Sequence, residues 1–161
     1  MTDEEREAVY ARFADLQDDR EALLDAVTDA TLHALRVPVK LLGYQYIFLG
    51  ARYILSRPSN EHPTMLKEIY PYVAARVSSN RVMVERAMHY AICCAWKRAD
   101  PDVMYSYLGL RGRDLKNPPT NVEFLYLIAE RVRLIVGDPE GEERYQRMKR
   151  EAERRFGLVF R

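Results

Sequence analysis

Apolar residues recur at helical spacing along almost the whole chain, and the β-branched alternation of a half-buried strand is scarce. Near the start, Val9, Phe13, Leu16, Arg20, Leu23 and Val27 form one stripe of a long helix, broken by a single arginine. The residue before a proline is pushed out of helical geometry, so Val37-Pro38 places a break near Arg36. Leu41 to Leu55 is strongly apolar and holds Gly43 and Gly50. It reads as a buried helix whose glycines let neighbours approach closely. Arg57-Pro58-Ser59-Asn60 is a loop. A short helical turn follows from Thr64 to Tyr70. Pro71 then suits the first turn of a helix to about Val77, where a missing N–H costs nothing.

Ser78-Ser79-Asn80 is a turn rich in capping residues. The next helix runs from Arg81 to about Trp96. Ala99-Asp100-Pro101 opens another, which ends near Gly109, and Leu110 to Pro119 is a basic loop. Thr120-Asn121-Val122-Glu123 has the form of a capping box for a helix to Val136, stopped by Gly137. Asp138-Pro139 starts a last, highly charged helix to about Phe156, followed by the apolar tail Leu158-Val159-Phe160. The pattern predicts an all-α fold: a compact bundle of about six helices containing a helix-turn-helix, with extra N- and C-terminal helices. Its segments are an acidic helix over 1–26, a helix-turn-helix domain over 27–136 and a charged helix with a tail over 137–161.

Composition narrows the class of function. A chain of 161 residues with 48% apolar and 30% charged side chains fits one globular domain and not a disordered segment. The net charge of +1 hides an asymmetry. Residues 1–25 carry nine acidic side chains against three arginines, whereas residues 76–116 carry eight basic against four acidic. Charge separated in this way is the footprint of a nucleic-acid face. No apolar run is long enough to span a membrane, and the acidic opening Met1-Thr2-Asp3-Glu4-Glu5 is unlike a secretory signal. Adjacent Cys93 and Cys94 point about 100° apart on a helix, so they read as reduced, partly buried thiols. The expected setting is cytoplasmic, with the nucleoid as the site of action.

His33, His62 and His89 are too dispersed for a metal motif, the glycines stand singly, and no nucleophile–base arrangement is legible. The expectation is a protein without cofactor, metal or catalytic residues, and not an enzyme.

The informative piece is Tyr70 to Ile92. Two helices joined by about four residues, the second long, form a helix-turn-helix candidate. Val73, Ala74 and Val77 share one face of the first helix, and Val84, Met88, Ala91 and Ala95 share one face of the second. The opposite face of the second carries Arg81, Glu85, Arg86 and His89. Arginine can bond guanine and glutamate can accept from cytosine, both from the first turns of a recognition helix in the major groove. The basic loop with Arg111, Gly112, Arg113 and Lys116 ends just before a helix N-terminus, a natural place for phosphate.

From about Val27 to Leu134 the chain also carries a family pattern. It comprises Val37-Pro38, Gly43-Tyr44, Tyr46, Leu66, Tyr70-Pro71, Ala74, Val84-Glu85-Arg86-Ala87, Ala91-Ile92, Ala95-Trp96, Gly109, Pro119-Thr120-Asn121, Glu123-Phe124 and Arg133-Leu134. This resembles the C-terminal effector domain of the stage-zero sporulation protein A, a response regulator. The resemblance implies a six-helix domain that binds double-stranded DNA in the major groove as a transcription factor, binds tandem sites as a dimer and contacts RNA polymerase. It implies that Glu85 and Arg86 make base and phosphate contacts and that Lys116 matches a family lysine. Two contacting arginines of the family are Met83 and His89 here, and a second lysine is Pro118. Family members carry a phosphorylatable receiver before this domain. Only about 26 residues precede the match and no βα pattern is among them, so control without aspartyl phosphate is expected.

Several alternatives stay open at this stage. His89 reads equally as a DNA contact or as a solvated residue. The N-terminal stripe either packs on its own domain or pairs with a second chain, giving a homodimer. Trp96 follows the apolar face and reads as core. The competing function is a protein-interaction module whose degenerate helix-turn-helix modulates another regulator.

Overall fold

The computed structural model describes residues 2–11, 20–109 and 116–137, together with Arg150 and Arg154. Among the described residues there is no strand and there are seven α-helices: α1 (Asp3–Ala11), α2 (Arg20–Ala34), α3 (Leu42–Leu55), α4 (Tyr70–Val77), α5 (Arg81–Lys97), α6 (Pro101–Leu108) and α7 (Asn121–Val136). The all-α expectation holds, with α2–α7 as the six-helix bundle and α1 as the extra N-terminal helix. The centre of the expected long N-terminal helix, most of the basic loop with Arg111 and Arg113, and most of the charged C-terminal helix and its tail lie outside the described residues. Of that last helix, Arg150 and Arg154 are helical and exposed.

α3 is the hub and touches α2, α4, α5 and α7. Its Ile47 and Ile54 are enclosed with Leu32 of α2, Met88 and Ile92 of α5, and Phe124, Leu125 and Ile128 of α7. Full burial of a side chain of this size contributes about 1.5–3 kcal/mol relative to leaving it in water, so this cluster dominates stability. Gly43 permits a close crossing of α3 and α5. A Cβ there would stand 2.1 Å from the Ala87 carbonyl oxygen and 2.6 Å from the Ala91 Cβ. Gly50 is looser, with Leu125 methyls at 3.0 and 3.3 Å from such a Cβ.

The helix ends follow local chemistry. α2 stops where Arg36 takes a left-handed φ of 61°, with Val37 N–H donating to the Leu32 carbonyl at 3.1 Å. This is a Schellman closure with arginine in the place glycine usually holds. The Arg36 guanidinium donates to the Arg98 carbonyl at 3.0 Å, tying the end of α2 to the end of α5. The expected short turn before α4 is a single π-helical turn, Met65–Ile69, in which Ile69 N–H donates to the Thr64 carbonyl at 3.1 Å. A proline ring crowds the carbonyl four residues before it, here Lys67, and a wider turn ahead of Pro71 gives that carbonyl room.

α1 carries a reciprocal capping box that the sequence reading did not pick out. Thr2 N–H donates to Glu5 Oε2 at 2.7 Å and Glu5 N–H to Thr2 Oγ1 at 3.1 Å. The helix lies against α7 of its own chain, and the Ser106 hydroxyl on α6 donates to Glu5 Oε1 at 3.2 Å. The Thr2 N–H bond is the main reason that the Glu5 carboxyl is held below its ordinary pKa. No helix among the described residues is long and apolar enough to cross a membrane.

Candidate nucleic-acid interface

The corner between α4 and α5 is built by its turn. Ser78 closes α4 in the left-handed region, at φ 53° and ψ 47°, and Ser79 N–H donates back to the Ala74 carbonyl at 3.0 Å. Asn80 is extended and its Oδ1 accepts from Met83 N–H at 3.0 Å, so it is the N-cap of α5. Three residues thus end one helix and start the next. Val73 of α4 is buried, with Ala74 and Val77 half-buried, against the buried Val84, Met88, Ala91 and Ala95 of α5.

A second tie holds α5 from the other side. Asn121, the first residue of α7 and only 7% exposed, donates from Nδ2 to the Glu85 carbonyl at 3.0 Å and to Tyr70 Oη at 3.1 Å. One amide joins the starts of α4 and α7 to the second turn of α5. Burial pushes the Tyr70 hydroxyl above its ordinary pKa, with the Asn121 bond opposing. Thr120 caps α7 by accepting from Glu123 N–H at 3.3 Å, while its hydroxyl donates to Glu123 Oε1 at 2.8 Å. The capping box forms with the glutamate on the hydroxyl.

The structure places the candidate residues on α5 unevenly. Met83, Arg86 and His89 are exposed, and Arg86 has no ion-pair partner among the described residues. Arg81 and Glu85 lie on the flank, joined by an ion pair at 3.0 Å. Glu85 is half-buried, and both side chains are drawn along the helix axis. Arg81 therefore does not take the outward position that Met83 occupies. Lys116 is exposed on the segment leading to α7, and no bond ties it to α5. His89 Nε2 lies 3.4 Å from the Cys93 sulfur. Both cysteines are free and half-buried, as their adjacent positions imply. Trp96 is a core residue, edge-on to Phe124 at 6.0 Å.

From Tyr70 to Arg98 the chain has five basic side chains, Arg76, Arg81, Arg86, Lys97 and Arg98, all exposed, against one acid, Glu85. A groove of about 720 Å³ runs between α5 and the start of α7, lined by Val82, Arg86, His89, Tyr90 and Val122 among others. Among the described residues no group of three or more His, Cys, Asp or Glu could hold a metal ion. Sequence reasoning missed Asn121 and Val82 as parts of this surface. A polar residue after a cap reads as helix start, and which carbonyl it reaches depends on how α7 crosses α5.

A long, capped, cationic second helix standing behind a three-residue turn defines a domain of the DNA-binding helix-turn-helix class. The family model described as sporulation initiation factor Spo0A C terminal matches residues 28–132, about two-thirds of the chain. The chain belongs to that family, whose domains bind DNA and regulate transcription in sporulation.

Proposed function

We propose that this chain is a sequence-specific, DNA-binding transcriptional regulator that lays α5 in the major groove. The observation that carries this reading is the outward side of α5. It presents Met83, Arg86 and His89 to solvent within a segment of five exposed cations and a single acid. Arg86 supplies phosphate contact, Met83, Glu85 and His89 face base edges, and Arg81 and Lys116 add charge at the margins. Glu85 reaches a base when its pair with Arg81 opens. Exposed i,i+4 ion pairs are worth only about 0.3–0.5 kcal/mol, so opening costs little. RNA polymerase is the second partner that the family resemblance implies.

The test is binding to labelled duplex DNA over a range of salt. A helix held by phosphate contacts loses affinity steeply as salt rises, with a slope of about 0.9 per phosphate neutralised. A selection from a random duplex pool should yield one enriched sequence. Binding that is insensitive to salt, or a pool that never converges, would leave the protein-interaction module as the better reading.

A further inference from the structure

The first turn of α5 is apolar where a DNA-reading helix would ordinarily be polar. Val82 and Met83 are 43% and 54% exposed, and Val122 across the groove is exposed as well. They stand beside Arg86 and His89, in the segment with five exposed cations and one acid. That charge favours a polyanion over an apolar protein face, and under the DNA-binding reading the surface these side chains meet is a duplex. The groove edges of B-DNA are donors and acceptors with one exception: the C5-methyl of thymine is the apolar group of the major groove. First-turn residues of a recognition helix are those that reach base edges. Arg81, the other side chain of this turn with reach, is turned along the helix to Glu85 at 3.0 Å.

We infer that Val82 and Met83 read thymine methyl groups, so that the DNA sequences this protein selects carry thymine under the first turn of α5. The inference rests on the DNA-binding reading above and adds the chemistry of its specificity. Where a guanine-reading arginine would reward a bidentate acceptor pair, a methionine rewards only the removal of a methyl from water.

Deoxyuridine tests it, since it pairs as thymidine does and lacks only the methyl. The duplex enriched by selection is resynthesised with each thymine in turn replaced by deoxyuridine. Replacement at one or two positions should weaken binding by the parent about fourfold each, the worth of one buried methyl. In Val82→Ala and Met83→Ala the ratio of thymidine to deoxyuridine affinity should fall towards one at one position each. Both side chains are exposed, and a melting curve checks that the variants stay folded. A parent that binds the selected duplex but is indifferent to deoxyuridine at every position overturns the inference. So does a penalty that persists unchanged in both variants, or an enriched sequence without thymine under the first turn. A parent that binds no duplex at any salt concentration removes the DNA-binding reading itself, and the inference with it.

Discussion

Arg86 and Met83 share the outward side of α5, and under the proposed function they carry different kinds of information. An arginine on phosphate contributes charge to any duplex, so Arg86→Ala should weaken binding to all sequences and lower the salt slope by about one. A titration in which Arg86→Ala matches the parent at moderate salt would mean that α5 is not the DNA-facing helix. Met83 stands where the resemblance implies a DNA-contacting arginine of the family, and arginine is the side chain that bonds guanine bidentately. Met83→Arg should therefore move the enriched sequence towards guanine at the facing position, with discrimination of about 1–3 kcal/mol. Its exposure makes the change cheap for the fold. An unchanged enriched sequence would show that position 83 does not face the groove.

At the scale of helices, two contacts that carry no DNA chemistry help fix where α5 sits. One is the Gly43 crossing, where a methyl group would meet backbone at 2.1 Å and a second Cβ at 2.6 Å. Backbone cannot rotate aside, so Gly43→Ala must push α5 away from α3. Overpacking of this kind typically costs about 1–3 kcal/mol. Gly50→Ala meets Leu125 methyl groups at 3.0 and 3.3 Å and an Ile69 methyl at 3.4 Å, side-chain ends that can shift. Thermal melts of the two variants should show Gly43→Ala clearly the less stable, and Gly43→Ala should also bind DNA more weakly at a temperature where it remains folded. Equal melting temperatures would mean that the crossing is not tight in solution. The other contact is Asn121, which holds the Glu85 carbonyl and Tyr70 together from the start of α7.

Across the whole molecule, charge and packing divide the chain into an acidic front and a cationic corner. α1 lies on α7 and accepts a bond from Ser106 through Glu5, so it braces the last core helix of its own chain. A chain beginning at Arg20 should melt at a lower temperature and sediment in the same state of association as the full chain. If truncation instead dissolves an assembly at tens of micromolar, the helix joins two copies, the arrangement that tandem DNA sites would reward through effective concentration. The melting curve and the sedimentation profile separate the two roles.

The sequence by itself determined the helical class, the order of the helices and the corner, because these depend on short-range physics. Apolar spacing at three and four residues marks each helix. Asn80, Thr120, Gly109 and Gly137 cap helices with their own side chains or a left-handed φ, and all act over a few residues. The exposed side of α5 was legible for the same reason, since it is the complement of Val84, Met88, Ala91 and Ala95. Only the tertiary structure decided what those surfaces meet. Arg133 stood in the sequence only as part of the family pattern; in the fold it is 3% exposed and donates to the carbonyls of Ile54 and Arg57 at 2.9 and 2.8 Å, at and just past the end of α3. Asn121 looked like a cap residue and is the clamp on α5. In both cases the partner lies on a distant helix or loop, and whether the two meet depends on how the helices cross, which no local pattern encodes.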